Sequence, residues 1–226
     1  MKPILVLSLL FFGRFAANAQ LDSASLLKEV SAKLENKSAT ISSILSDKRY
    51  LSIHPHTPFR ELISNYATTA VLKITTADEP GKKIRVLGTV VDEKGKPVAG
   101  AIVYLYQTDA KGWYAAGSPH VQSYEGDIRH ARLFGYVKTN AEGRFELNTV
   151  KPSGYPQSDL PAHIHVHVSV PGYRNYGTEF LFDDDERLVG KIRENSIRNQ
   201  FLISKPETAP AGFAQQFSYK MVLQKN

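Results

Sequence analysis

The sequence predicts a mainly β protein, a β-sandwich preceded by an N-terminal helical segment. Three observations carry this prediction. From Lys83 onward, short runs of alternating apolar and polar residues recur, punctuated by Gly, Pro, Asn and Asp. Over residues 22–47 the apolar positions recur instead at three-and-four spacing. The 15 Gly and 12 Pro follow no period, as suits a fold with many turns. The 226 residues suffice for one good-sized domain with a small helical appendage.

The chain begins with Lys2, then the apolar run Ile4 to Phe12, then Ala17-Asn18-Ala19-Gln20. A basic start, a short apolar stretch and an A-x-A site read as a secretory signal peptide over residues 1–19, cut after Ala19. The protein is therefore expected to be secreted or periplasmic. No other stretch approaches the ~20 apolar residues of a spanning helix, so no membrane span is expected in the mature chain. The sequence has no cysteine, which excludes disulfides and thiolate catalysis. Its net charge of +6 is spread along the chain without a basic run, which argues against nucleic acid as a partner.

Residues 20–80 form the helical segment. Leu26, Leu27, Val30, Leu34, Ile41, Ile44 and Leu45 make one apolar stripe, weakened at Asn36-Lys37-Ser38. Pro55 and Pro58 end any helix there, and 59–78 reads equally as helix or strand. The segment is a helical appendage, a dimerisation arm that would give a homodimer, or a cover for a sheet edge. Residues 81–226 form the sandwich. Strands are expected at 84–91 and 98–106, then a long loop from Trp113 to about Ala131. A hairpin follows, 133–139 with 144–150, around Asn140-Ala141-Glu142-Gly143. Later strands fall at 163–170, 177–182, 200–203 and 217–223.

The strand at 163–170 carries the chemistry. His163, His165 and His167 alternate with Ile164, Val166 and Val168, so the histidines share one face and the apolar residues pack into a core. Same-face neighbours lie ~6.5–7 Å apart along a strand, close enough for His163 and His165 to converge on one metal ion. His167, one step further, suits a supporting or surface role. Tyr155 lies in a Gly/Pro turn that can fold back over the strand, and Tyr114 follows Gly112 at the mouth of the long loop. There is no HExxH and no cysteine pair, so a zinc hydrolase site is not written here. Two phenolates with two imidazoles suit a trivalent iron, provided the phenols ionise below their ordinary pKa of ~10. His120, His130, Trp113, Tyr124 and Phe134 are candidate pocket or core residues. The run Asp183-Asp184-Asp185-Glu186 reads as a solvated turn.

Several pieces between about residues 84 and 190 occur together in a set order. They are Gly88-Thr89-Val90-Val91-Asp92 with Gly95-Lys96-Pro97-Val98-Ala99-Gly100-Ala101, Gly112-Trp113-Tyr114, and Thr139-Asn140-Ala141-Glu142-Gly143-Arg144-Phe145. Then come Gly154-Tyr155-Pro156, Pro161-Ala162-His163-Ile164-His165 and Pro171-Gly172-Tyr173. In this the chain resembles the intradiol ring-cleavage dioxygenases, such as catechol and protocatechuate dioxygenases. The resemblance implies non-haem Fe(III) on Tyr114 and His163 (equatorial) and Tyr155 and His165 (axial). It implies an aromatic diol and O2 as small-molecule substrates, with Tyr155 acting catalytically by leaving the iron and taking a substrate proton. The ring would open between its two hydroxylated carbons to a muconate-type diacid. The chain departs from the family where an arginine is expected, at Leu160, and where a Thr-Gln pair is expected, at Thr178-Glu179. Arg129, Arg132 or Arg174 could stand in for the missing cation. Two other readings stay open, a non-catalytic extracellular sandwich module and an iron-binding homologue with altered activity.

Overall fold

The computed structural model describes residues 23–68, 71–115 and 131–226. Among the described residues nine strands form two sheets. One has the order β1 (Leu72–Lys73), β5 (Arg144–Val150), β2 (Lys83–Asp92) and β9 (Gln215–Leu223). The other has the order β4 (Leu133–Lys138), β3 (Ile102–Gln107), β6 (His163–Ser169), β7 (Tyr176–Phe182) and β8 (Leu202–Ser204). The sheets face each other across a core in which Phe180 stacks on Tyr219 and Phe182 meets Phe217 edge-on. The expected β-sandwich is thus the observed architecture.

Alternation sets which side chains enter that core. In β6, Ile164, Val166 and Val168 are buried, while the opposite face presents His163, His165 and His167 in order of rising exposure. Cross-strand pairing extends that outer face. Tyr106 lies opposite His165 and Phe134, and Tyr104 lies opposite His167 and Tyr136. The result is an aromatic outer surface on the sheet that carries the histidines.

The N-terminal segment comprises α1 (residues 23–35), α2 (Ile41–Leu45), a 3-10 turn (Lys48–Ile53) and α3 (Thr57–Asn65). The expected interruption falls after α1, and Thr40 then restarts the chain with a capping box closed by Ser43. The segment is not a loose arm. Val30, Leu34, Ile44, Leu45, Tyr50, Ile53, Phe59 and Ile63 belong to the same hydrophobic cluster as the sandwich. Arg60 anchors it to the outer face, stacking on Phe134 at 3.5 Å and donating to the Tyr104 hydroxyl at 2.6 Å. Phe134 is therefore core packing under α3 and not a pocket wall.

Three expectations need correction. The 133–139 and 144–150 strands do not pair as a hairpin. β4 pairs with β3, β5 pairs with β2, and the Asn140–Gly143 turn carries the chain from one sheet to the other. Local turn bonds are present, such as Arg144 N–H to Asn140 Oδ1, but the core draws the two strands to opposite layers. The strand expected at 98–106 begins only at Ile102. Finally, α4 (Gly190–Arg198) was not foreseen. Only Ser196 in it is buried, so it carries no apolar stripe to read. His120, Tyr124, Arg129, His130 and the expected signal peptide over residues 1–19 lie outside the described residues. Among the described residues no helix is long and apolar enough to cross a membrane.

Candidate metal centre

Two turns and one strand build the site. Asp109 closes the first turn by accepting from the Lys111 and Trp113 amides at 2.8 and 3.0 Å. Gly112 sits there at φ +82°, a conformation that suits glycine. A Cβ at Gly112 would collide with the carbonyl oxygen of Gly154, and one at Gly154 with the carbonyl oxygen of Leu160. The two tyrosine-bearing turns thus touch backbone to backbone, each at its glycine. Thr108 Oγ1 donates to the Ser153 carbonyl at 2.7 Å and the Ser153 amide to the Asp109 carbonyl at 3.1 Å, which brace the same junction. Tyr114 and Tyr155 project from it toward His163 and His165 on β6.

Four polar atoms close a ring. Tyr114 Oη lies 2.6 Å from Tyr155 Oη and 3.0 Å from His165 Nε2. Tyr155 Oη lies 3.1 Å from His163 Nε2, and the two Nε2 atoms are 3.1 Å apart. Tyr114, Tyr155 and His163 are at most 8% exposed. The Pro161 carbonyl assigns the His163 tautomer. His163 Nδ1 faces the Pro161 carbonyl at 2.8 Å and so donates its proton there. His165 Nδ1 faces the Glu179 carboxylate at 3.6 Å. Both rings turn Nε2 toward the same point, and that of His163 is unprotonated. Burial, and next the neighbouring Tyr155 phenol, push the Tyr114 phenol well above the usual tyrosine range. Tyr114 ionises only if a cation compensates it. The donor set and its ~3 Å edges fit a single ion bound at ~2 Å by imidazole and oxygen ligands. His163, His165 and Glu179 also offer ligand atoms within 4.8 Å of one another.

The structure thus brings together the four residues singled out in the sequence. His167 does not join them. It is exposed and stacks loosely on Tyr104 and Tyr106 at 6.1 and 6.2 Å. Leu160 is 45% exposed. Arg132 does not stand in for an arginine there, because Glu79 holds its guanidinium by two bonds of 2.7 Å. Arg174 is engaged with Gln224. The acidic run is not simply solvated. Asp185 accepts from the Ala162 amide at 3.0 Å, and Arg187 donates to the carbonyls of Tyr155 and Leu160 at 3.2 and 3.4 Å. This turn after β7 clamps the loop between Tyr155 and His163. Sequence reading missed it because the clamp is long-range; only the Asp-x-Arg spacing of a tight turn marked it.

A β-sandwich with a largely enclosed cluster of two tyrosines and two histidines offers a donor set that could hold a metal ion. A family model described as "Dioxygenase" matches residues 57–225, most of the chain. The chain belongs to this dioxygenase family, whose matched relatives are intradiol ring-cleaving enzymes. It is 33% identical over 124 residues to catechol 1,2-dioxygenase 1 of Acinetobacter lwoffii, covering 48% of this chain and 38% of that one. It is 35% identical over 96 residues to the protocatechuate 3,4-dioxygenase beta chain of Burkholderia cepacia, covering 41% and 40%. The chain thus spans less than half the length of these curated relatives. Among solved structures it resembles the 3-chlorocatechol 1,2-dioxygenase of Rhodococcus opacus 1CP (TM-score 0.53, 24% identity, 71% of this chain and 65% of that one). It also resembles the dioxygenase domain of a carbohydrate-binding fusion protein from Streptomyces sp. SirexAA-E (TM-score 0.51, 24% identity, 71% and 90%). At these identities the structural likenesses carry the fold alone.

Proposed function

We propose that the protein is a non-haem Fe(III) dioxygenase that cleaves a catechol-type aromatic diol with O2, between the hydroxylated carbons, to a muconate-type diacid. The observation that carries this reading is the closed ring of Tyr114, Tyr155, His163 and His165 donor atoms. These four residues are the proposed ligands. When bound, the ferric ion supplies Lewis-acid activation of the diol toward O2.

The chain's own residues divide the remaining work. His163 and His165 stand on a paired strand and hold their positions throughout. Tyr155 stands on a turn, the more displaceable support, and its Oη is the atom that receives a proton from the incoming diol. Tyr114 is buried beside it and remains in place. The Asp185–Arg187 clamp keeps the Tyr155 turn within reach when its side chain moves. The same reading includes export, with residues 1–19 as a signal peptide, 20–80 as the helical segment and 81–226 as the sandwich domain.

Metal analysis with a visible spectrum, before and after adding catechol, tests the proposal. The iron-loaded protein is expected to show tyrosinate-to-iron charge transfer and to consume O2 with muconate formation. A colourless, iron-free protein after iron-replete expression overturns it. A second reading, an iron-binding homologue with altered activity, is favoured by Leu160 and Glu179 standing where the resemblance implies Arg and Gln. Iron with charge transfer but no turnover on a panel of catechols supports that second reading.

A further inference from the structure

Glu179 sits directly opposite His165 in the antiparallel pairing of β6 and β7, so the two side chains share a face. Its Oε1 lies 3.6 Å from His165 Nδ1, the ring atom turned away from the four-donor ring. Both side chains are mostly enclosed, at 23% and 19% exposure. On the other side of the imidazole, Tyr106 stacks at 4.4 Å with a 9° interplanar angle. His165 is therefore held from three directions. The stack sets its plane, the carboxylate faces Nδ1, and Nε2 meets Tyr114 and His163. The next histidine along provides an internal contrast. His167 is paired with Gly177, which has no side chain, and takes no part in the ring.

A carboxylate behind a ligating imidazole keeps the proton on Nδ1 and makes Nε2 a stronger donor. It also adds charge. Two phenolates and one carboxylate together match the charge of a trivalent ion inside the site, and an amide in place of Glu179 removes one of these three protein charges. We infer that Glu179 is a positioning residue of this centre, fixing the His165 tautomer and supplying the third negative charge. The inference rests on the ligand reading proposed above.

The test compares iron-loaded wild type with Glu179→Gln and Glu179→Asp. All three are first checked for the same far-UV circular dichroism and thermal midpoint. In Glu179→Gln the iron becomes more electron-poor, so the tyrosinate charge-transfer band is expected to move to longer wavelength. Iron retention against a competing chelator is expected to fall ~10–100-fold. Glu179→Asp should recover part of both. A Glu179→Gln protein with wild-type band position and wild-type iron retention overturns the inference while leaving the ligand reading intact. Folded variants that both lose iron altogether would make Glu179 a direct ligand, which also overturns a positioning role. A wild type without the band overturns the ligand reading itself and this inference with it.

Discussion

At the scale of single residues, the buried Tyr114 phenol and the buried His54 imidazole respond to protons in different ways. Tyr114 is held in its neutral form by burial and by Tyr155, so a metal ion must displace its proton to bind it. Adding Fe(III) or another trivalent ion to metal-free protein at neutral pH is expected to release up to about two protons per site, measurable by dye or calorimetry in two buffers. Tyr114→Phe should release one fewer, and an unchanged proton count would mean that this phenol is not a ligand. His54 takes no part in the four-donor ring, although Arg132 links it to the Tyr114 backbone. It is fully buried, its Nδ1 meets the Arg132 carbonyl at 2.9 Å, and Nε2 has no hydrogen-bond partner among the described residues. Burial lowers its pKa from 6.5 to about 4. Below pH 6.5 the unfolded chain takes up a proton that the folded protein refuses until about pH 4, so folding stability is lost as pH falls through that window. The loss amounts to on the order of 3 kcal/mol. Denaturant melts from pH 7.5 to 4 should show a smaller decline for His54→Phe than for wild type, even though the variant starts lower without its bond to Arg132. Equal declines would refute the assignment. Both histidines of the ring could be read from alternation alone. The role of His54 could not, because nothing local marks a lone histidine as buried under Phe59 and Phe134.

At the scale of elements, the site depends on two turns meeting. Gly112 and Gly154 were legible as turn residues, but their mutual contact was not, since it joins turns on either side of β4 and β5. Gly112→Ala forces a side chain into a left-handed backbone at φ +82° and into the Gly154 carbonyl. Strain in that region alone costs about 1–2 kcal/mol, and the collision adds to it by pushing the tyrosine turns apart. The variant is expected to unfold at lower denaturant and to lose iron binding more severely than stability. Wild-type iron affinity in Gly112→Ala would show that the turn contact does not set the ligand spacing. Strand positions were largely legible because half-buried strands alternate. Sheet membership was not: the run 133–150 has the residues of a hairpin, yet β4 and β5 lie in different layers. Glu179, Asp185 and Arg187 were visible as residues, but their contacts with His165 and with the Tyr155–His163 loop were not, as the partners come from a neighbouring strand and a remote loop. α4 was invisible because its sequence, Gly190 to Arg198, is nearly all polar.

At the scale of the whole molecule, the helical segment and the sandwich share one core. Phe59 on α3 is fully buried, stacking on His54 at 5.1 Å and meeting Phe134 edge-on at 6.3 Å. Truncating it to Ala is expected to cost about 3–5 kcal/mol. Because the cluster is continuous, the loss should lower a single cooperative transition seen equally by far-UV and near-UV probes. Two separated transitions, with the later one at its wild-type midpoint, would instead mark residues 20–80 as an independently melting appendage. The apolar stripe of that segment was readable from its spacing, while its destination was not. The buried contacts of Arg60 with Phe134, Tyr104 and the Ala131 carbonyl, with that of Phe59 on Phe134, reveal where it docks.

The parallel pairing of β2 with β9 has a consequence for how the chain reaches this state. Ile84 is matched with Gln215 and Asp92 with Leu223, so the longest strand of the first sheet finds one of its partners only among the last residues of the sequence. Contacts that far apart in sequence close slowly, because chain entropy must be overcome before any bonding compensates it. Until then β2 has one bare edge flanked by Ile84, Val86 and Val90, an open template for a neighbouring chain. Refolding yield is therefore expected to fall as protein concentration rises, with the docking of β9 on β2 as a slow step; a yield independent of concentration would refute this.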